Sequence, residues 1–334
     1  MADTLTEKKP IRPKQGESKP DKKPDPNVQI WNPSCLDFPV YAMIFPHEWN
    51  TDSPNNYWMK GMSKEEIDED WAKCYQQWMR LYGWLSGNNS LVHILPSIEY
   101  FADAVYIANI GIMLCHGKKP VFVGSNFKSA PRGGEEKAAM DYFAAYEYTT
   151  KKCPFYFEGE ADLKHVVDNH YIGAYGIRTE RKALEWFEKT YDMTVIPVEM
   201  TDERNYHLDT EIFPLTTEKV VVATSLLKPE EIKAIEKIAE IIPVPKKIAF
   251  AGTTNCVRTV KMVLCGSSLE SMKRSDDEEE WKEQFEKRKF WEDVCEANRF
   301  ELVMPDLSEM SKSGADLSCC VFHINRQAYA QPIT

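Results

Sequence analysis

The sequence predicts an α/β protein with mixed sheets, and three observations carry this prediction. From Val28 onward, short apolar runs alternate with longer stretches in which apolar residues recur at helical spacing. Strand-rich units with one helix each recur about every 50–60 residues, although no sequence word repeats. The chain has 334 residues, which is longer than the chains that usually fold around one simple hydrophobic core. This length predicts either one large repetitive domain or two domains.

The first 27 residues differ in composition from the rest of the chain. They are rich in Lys, Pro and Asp and contain almost no large apolar side chain. Such a segment cannot bury enough apolar surface to offset the entropy lost on ordering. We therefore expect residues 1–27 to form a disordered tail.

Five stretches are predicted to be helices because of their apolar spacing or their helix-forming composition. The fourth starts just after Pro229, where proline suits the first turn, and the fifth has Ser275 as a candidate N-cap. The predicted helices cover Lys64–Leu85, Glu135–Tyr148, Arg178–Tyr191, Lys228–Ile242 and Ser275–Arg299.

Short apolar runs between these helices are predicted to be strands. In the first half of the chain they cover Val40–Phe45, Leu91–Leu95, Ala104–Leu114, Pro154–Gly159, His170–Gly176 and Thr194–Met200. In the second half they cover two short strands within His207–Thr224, then Lys247–Ala251, Met262–Gly266, Phe300–Pro305 and Ser318–Ile324.

Composition argues against several classes of protein. The net charge of −11 disfavours a nucleic-acid partner, whose phosphates need a basic face. Nine cysteines without any Cys-x-x-Cys pair are untypical of a disulfide framework. The sequence has neither a stretch that resembles a signal peptide nor an apolar run near the ~18 residues that span a bilayer. We expect free thiols, a cytoplasmic location and no membrane partner; the oligomeric state stays open, and a homo-oligomer is compatible with the sequence.

Three polar motifs lie beside predicted strands. His207 and Asp209 are two residues apart, so they would share one strand face, where a histidine can act as a base beside a cation-binding carboxylate. For a lone His-x-Asp, however, a hydrogen-bonded structural histidine is the favoured interpretation. Glu158 ends an aromatic run, a position that suits a ligand contact or an ordinary charged turn. Asp103 and Asn109 interrupt an apolar run, which is costly unless a ligand or a structural hydrogen bond pairs them.

The pair Cys319 and Cys320 allows several interpretations. With His323 nearby, a zinc site would still lack partner ligands, and a vicinal disulfide is strained. A nucleophilic thiolate needs a base close by. Taken alone, the run is best interpreted as a buried strand that contains sulfur. Because neighbouring strand residues face opposite ways, at most one of the two cysteines could face a site.

Taken in order, these motifs resemble the pentein, or guanidino-group-modifying, superfamily of amidinotransferases, dimethylarginine dimethylaminohydrolases and arginine deiminases. The resemblance runs from about Trp31 to Ile324. It implies a five-bladed α/β-propeller of pseudo-fivefold ββαβ units with a central active site. It also implies a single catalytic domain over residues 28–334.

The resemblance assigns roles residue by residue. "EGEAD" resembles the family's Glu-Gly-(Gly/Glu)-x-Asp motif and makes Glu158 the support of the catalytic histidine. "YHLDT" makes His207 the general acid/base and Asp209 a guanidinium contact. "SGADLSC" resembles the Ser-Gly-Gly-x-x-x-Cys turn and makes Cys319 the nucleophile, which leaves Cys320 for packing.

Two further segments supply the expected substrate pocket. "ADAVYIAN" implies that Asp103 and Asn109 line it, and "GIRTER" implies that Arg178 binds a substrate carboxylate. The chain departs from the family pattern at Ala102 and Ala315, where Pro and Gly are usual. "NNYWMKGM" resembles a stretch at the pocket rim and receives no catalytic role.

One position narrows the branch. Deiminases and dimethylarginine hydrolases usually carry Asp where this chain has Asn109, and Asn there resembles the arginine dihydrolase branch. Such enzymes convert arginine, a small-molecule substrate, to ornithine, ammonia and carbon dioxide without a metal or organic cofactor. The alternatives are a deiminase that yields citrulline, a dimethylarginine hydrolase, an amidinotransferase and a non-catalytic binding protein.

Overall fold

Fifteen short strands form five three-stranded sheets within the part of the chain that the structure describes. This computed structural model describes residues 34, 36–62 and 68–326, so the predicted tail over residues 1–27 lies outside it. The strands are β1 Val40–Ile44, β2 Leu91–Leu95, β3 Gly111–Leu114, β4 Val121–Gly124, β5 Thr149–Lys152, β6 Leu163–Val167, β7 His170–Tyr175, β8 Thr194–Glu199, β9 Ile212–Pro214, β10 Lys219–Val222, β11 Glu240–Pro243, β12 Cys256–Arg258, β13 Met262–Cys265, β14 Glu301–Val303 and β15 Phe322–His323.

Five α-helices of the described residues lie at the predicted places, with different ends; residues 64–67 of the first predicted helix lie outside the described residues. They are α1 Trp71–Ser86, α2 Glu135–Ala145, α3 Arg181–Tyr191, α4 Pro229–Ile235 and α5 Glu278–Asn298. The N-cap of α5 is Asp277 rather than Ser275, because the Asp277 carboxylate accepts the first free N–H groups. The predicted fourth helix is too long, since residues 240–243 form β11. No helix of the described residues is both long and apolar enough to cross a membrane.

The same arrangement of three strands and one helix is repeated in all five sheets of the described residues. The middle strand pairs antiparallel with one neighbour and parallel with the other, and an α-helix links the two parallel strands. Parallel neighbours need such a crossover, whereas antiparallel neighbours can be joined by a short turn. The prediction of an α/β fold with mixed sheets is confirmed.

The first sheet is completed by the last strand of the described chain. β15 pairs antiparallel with β1, with Tyr41 opposite His323 and Ala42 opposite Phe322. The Asn325 side chain extends this pairing, because its Oδ1 accepts the Val40 N–H at 3.1 Å. Unit 1 is therefore built from both ends of the described chain: β15 first, then β1, α1 and β2. Units 2 to 5 follow in chain order.

Five apolar cores lie between successive units rather than within them. Phe322 packs between units 1 and 2, Phe187 between units 2 and 3, Val220 between units 3 and 4, and Trp291 between units 4 and 5. The fifth core, around Trp78, joins unit 5 back to unit 1. Each unit thus buries apolar side chains against two neighbours.

Four strand predictions are wrong near the site. Of Ala104–Leu114 only β3 is a strand, and the residues ahead of it form 3-10 helices. Pro154–Gly159 makes a single bridge, from Phe157 to Asn126. Lys247–Ala251 overlaps a 3-10 helix, and Ser318–Ile324 shrinks to the two residues of β15. Ala104–Leu114 and Ser318–Ile324 are buried throughout and the other two segments are partly buried, so their apolar composition matches that of a strand although most of their backbone is not in one.

Candidate active site

The predicted site residues other than Arg178 lie on short segments ahead of the first strand of their unit, whereas Arg178 lies between β7 and α3. Asn109 ends a 3-10 helix ahead of β3, and Glu158 precedes one ahead of β6. Asp209 and Cys319 lie within 3-10 helices ahead of β9 and β15. The segment with Asn109 contacts those with Glu158 and Cys319, and the segments of Glu158 and Asp209 also touch. The repeated unit therefore brings together residues that are far apart in sequence.

Two glycines allow these segments to approach each other. Gly159 has φ +68°, and a Cβ there would lie 2.4 Å from the Ala108 carbonyl oxygen. Gly314 has φ +72°, and its Cβ would lie 2.3 Å from Oδ1 of Asn56. Both positions need the left-handed backbone and the missing side chain of glycine.

Glu158 and His207 form a buried pair. His207 Nε2 lies 2.8 Å from Glu158 Oε2, and Arg178 Nη1 lies 3.2 Å from the same oxygen. Burial alone would raise the pKa of Glu158, but the hydrogen bond from His207 and the charge of Arg178 outweigh it and lower the pKa to about 2. The carboxylate is therefore ionised at neutral pH and fixes the orientation of the imidazole.

Arg178 joins three parts of the site. Besides Glu158, it donates from Nη2 to the Asn55 carbonyl oxygen at 2.9 Å. Its guanidinium also lies 4.8 Å from the centre of the Tyr206 ring, within the range of a cation–π contact. Arg178 also lines a cavity together with His207 and Cys319.

Cys319 faces a carboxylate. Its Sγ lies 3.7 Å from Asp209 Oδ2, and the Ser318 hydroxyl donates to that oxygen at 2.8 Å. Burial raises the pKa of the Cys319 thiol, and the negative charge of Asp209 raises it further, so the thiol is protonated at neutral pH without a ligand. Within the described residues, Asp209 Oδ1 is buried and accepts no hydrogen bond.

The second cysteine and the nearby histidine have other contacts. Cys320 is buried in the core between units 5 and 1, and its Sγ donates to the Asp316 carbonyl oxygen at 3.8 Å. His323 Nδ1 lies 2.9 Å from Glu160 Oε2. Among the described residues, no group of three or more His, Cys, Asp and Glu side chains is placed to hold a metal ion.

Two cavities meet at Cys319. The smaller, about 20 Å³, is lined by Asp103, Asn109 and Arg178 together with His207 and Cys319. The larger, about 410 Å³, shares His207 and Cys319 with it and adds, among other residues, Asp209, Asn255, Glu280, Glu283, Lys287 and Asp316. The structure therefore brings all the predicted site residues together, with Glu158 held behind His207.

Asp103 and Asn109 both line the smaller cavity, but they lie in two 3-10 helices rather than on one strand as predicted. Asp103 Oδ2 accepts a hydrogen bond from Asn55 Nδ2 at 2.5 Å. The side-chain Nδ2 of Asn109 lies 3.5 Å from His207 Nε2. The backbone carbonyl oxygen of Asn109 accepts from the Ser125 hydroxyl. Both side chains can therefore present oxygen atoms to a ligand.

Arg132 and Asn55 also line the smaller cavity, although the sequence analysis gave them no role. Arg132 binds Glu135 through two nitrogens and donates to the Asp103 carbonyl oxygen at 3.0 Å. The sequence does contain a signal for this ion pair, namely an arginine three residues ahead of a glutamate. Such spacings are common, so they do not by themselves indicate a site. Asn55 belongs to "NNYWMKGM", which resembled only the rim of a pocket.

The family model described as "N,N dimethylarginine dimethylhydrolase, eukaryotic" matches residues 43–326. The chain belongs to this family. The family consists of hydrolases that act on C–N bonds of guanidino compounds, and the resemblance to pentein enzymes is confirmed.

Named proteins of the wider superfamily are similar to this chain in sequence. The chain is 27% identical over 245 residues to the bifunctional arginine dihydrolase/ornithine cyclodeaminase AgrE of Nostoc, a match that covers 70% of this chain and 33% of that protein. It is 25% identical over 294 residues to the N(G),N(G)-dimethylarginine dimethylaminohydrolase of Mycobacterium tuberculosis, with 85% of each covered. The chain thus spans about a third of the length of the first relative.

Solved structures share the fold. The N-terminal domain of the cyanobacterial arginine dihydrolase ArgZ, as a substrate-bound cysteine-to-serine mutant, superposes with a TM-score of 0.73 at 22% identity, covering 89% of this chain and 100% of that one. A citrulline complex of the dimethylarginine hydrolase of Pseudomonas aeruginosa gives a TM-score of 0.63 at 16% identity, covering 86% and 99%.

Proposed function

We propose that the chain hydrolyses the guanidino group of L-arginine through a covalent amidino-thioether on Cys319. The observation that carries this proposal is that Cys319, His207 and Asp209 line one cavity while Glu158 holds His207. A guanidinium is planar, cationic and weakly electrophilic, so its hydrolysis needs a nucleophile, a proton donor and a cation-binding carboxylate.

Substrate binding uses both cavities. The unpaired Oδ1 of Asp209 accepts the guanidinium, with Asp103 and the amide oxygen of Asn109 as further acceptors. Arg178 binds the substrate carboxylate, which suits its planar fork of donors. The bound cation offsets the charge of Asp209 and thereby favours the thiolate of Cys319.

The reaction then proceeds in two halves. The Cys319 thiolate attacks the central guanidino carbon, and protonated His207 gives its proton to the departing ammonia. His207 next takes a proton from water, whose oxygen attacks the amidino carbon and releases citrulline and the thiolate. Glu158 remains ionised and keeps His207 oriented throughout.

Ornithine is the proposed final product. In a second round the ureido group of citrulline reacts with Cys319 and water to give ornithine, ammonia and carbon dioxide. Asn109 supports this outcome because a neutral amide both donates and accepts hydrogen bonds, which suits a neutral ureido group better than a carboxylate does. AgrE and ArgZ are both named as arginine dihydrolases, which supports ornithine as the product.

Hydrolysis of dimethylarginine is the second candidate. The matched family carries that description, and the larger cavity of about 410 Å³ beside Cys319 offers room for N-methyl groups on the leaving nitrogen. In that case the product is citrulline and the leaving group is dimethylamine.

The proposed architecture is a five-bladed propeller formed by a single catalytic domain over residues 28–334. The support is the order of the cores, which join each unit to the next and unit 5 to unit 1.

The test is product analysis of the purified chain by mass spectrometry with arginine, citrulline and asymmetric dimethylarginine as substrates. We expect ornithine from arginine, no product from Cys319→Ser and continued turnover by the matched control Cys320→Ser. Full turnover by Cys319→Ser would contradict the covalent mechanism. Turnover of dimethylarginine alone would favour the second candidate. A guanidino product formed with added glycine would identify an amidinotransferase.

A further inference from the structure

Unit 5 has a polar residue at the position that provides a site residue in each of the other units. Asn109, Glu158, Asp209 and Cys319 all lie just ahead of the first strand of their unit. In unit 5 the corresponding residue is Asn255, which directly precedes β12 and is 1% exposed. The mechanism described so far gives this buried amide no role.

Both ends of the Asn255 amide contact the nucleophile segment. Oδ1 accepts the Ser318 backbone N–H at 2.6 Å, and Nδ2 lies 3.6 Å from Cys319 Sγ. A backbone N–H can only donate, so the oxygen must face Ser318 and the NH₂ group must face the sulfur. The amide therefore donates to the reacting atom.

The backbone of Asn255 is fixed from two sides. Its N–H donates to the Gly252 carbonyl oxygen at 3.1 Å, and Gly252 adopts φ +64° against the Asp316 carboxylate. The hydroxyl of Thr254 donates to the Asp209 carbonyl oxygen at 3.0 Å. The turn that carries Asn255 is thus tied to the segments on both sides of the thiol.

The titratable groups around Cys319 do not replace this donor. Asp209 and Asp316 carry carboxylates that oppose a negative sulfur, and Cys320 and Tyr206 are neutral neighbours in its surroundings. His207 lines the same cavity, but its Nε2 is engaged by Glu158. Within the described residues, Asn255 is the side chain that donates a hydrogen bond to Sγ.

We propose that Asn255 is a further catalytic residue, which stabilises the Cys319 thiolate through Nδ2 and fixes the Ser318–Cys319 backbone through Oδ1. This inference rests on the proposed function in taking Cys319 as the nucleophile. The reactivity of the thiol can nevertheless be measured without any substrate.

Asn255→Asp is the sharpest variant, because it keeps the acceptor for Ser318 and replaces the donor to sulfur by an anion of the same shape. We expect the midpoint of the pH-dependent alkylation of Cys319 by iodoacetamide to rise by about 1–2 pH units, with a roughly 10–100-fold slower reaction below it. Peptide mass spectrometry assigns the label to Cys319. Asn169→Asp, outside both cavities, is the matched control and should alkylate like the wild type.

An unchanged alkylation midpoint in a folded Asn255→Asp protein would overturn the proposal, as would full arginine turnover. Circular dichroism establishes folding. If that variant does not fold, Asn255→Ser carries the same test, since its shorter neutral side chain removes the amide donor. If the wild-type chain leaves arginine unchanged while the midpoint still shifts, the proposed substrate is wrong but the role of Asn255 stands.

Discussion

Asp209→Asn should make the Cys319 thiol more reactive and at the same time reduce arginine turnover. Sγ and Oδ2 are 3.7 Å apart, and both side chains are buried. Two unit charges at this distance repel by about 4 kcal/mol at an effective dielectric constant near 20, which corresponds to about three pKa units. Because relaxation absorbs part of this repulsion, we expect about one to two units of lowering of the thiol pKa. Alkylation of Cys319 at pH 7 should then accelerate roughly 10–100-fold.

The assay follows iodoacetamide labelling of Cys319 between pH 6 and 9 by peptide mass spectrometry, without substrate. Asp141→Asn on the exposed face of α2 is the matched control, and its labelling should equal that of the wild type. Turnover of arginine by Asp209→Asn should fall because the guanidinium loses its charged acceptor. Equal or slower labelling of a folded Asp209→Asn protein would refute the electrostatic reasoning.

Three further substitutions test the other site residues. Asn109→Asp should raise the ratio of citrulline to ornithine, measured by mass spectrometry; an unchanged ratio would remove Asn109 as its cause. Because folding lowers the pKa of Glu158 from 4.5 to about 2, its ionised form stabilises the fold by about 3 kcal/mol above pH ~5, and this is lost as the pH falls towards 2. Glu158→Gln should reduce the loss of unfolding free energy between about pH 5 and pH 2, measured by urea unfolding at each pH. An equally large loss in the variant would contradict this prediction. Arg178→Lys should raise KM for arginine roughly 10–100-fold more than it lowers kcat, because lysine cannot bind a carboxylate through two parallel hydrogen bonds; an unchanged KM would reject the clamp.

The sequence was informative where chemistry restricts the residue type. Glu158 and His207 are polar residues beside apolar runs, whereas the run with Cys319, taken alone, favoured a buried strand; only the order of the motifs indicated the superfamily and a role for Cys319. The geometric argument for His207 and Asp209 was nevertheless wrong. It assumed the alternation of a strand, whereas both residues lie at a 3-10 helix that exposes them to the same cavity.

Other features left too weak a signal in the sequence. β5 has the sequence Thr-Thr-Lys-Lys, whose polar side chains do not indicate a strand. It is an edge strand that pairs with β4. Asn255 lies in "GTTNC", an ordinary turn in composition, and its importance depends on Ser318 and Cys319 more than 60 residues away in sequence. Periodicity reports local burial and cannot report such distant contacts.

The pairing of β15 with β1 has a consequence for synthesis. The segment with Cys319 is made after all five helices, and its strand partner β1 is made before them. A nascent chain that ends before residue 319 therefore carries His207, the carboxylates and Arg178 but lacks the Cys319 thiol. Activity should begin only when translation has passed β15, so prematurely terminated chains are expected to be catalytically silent.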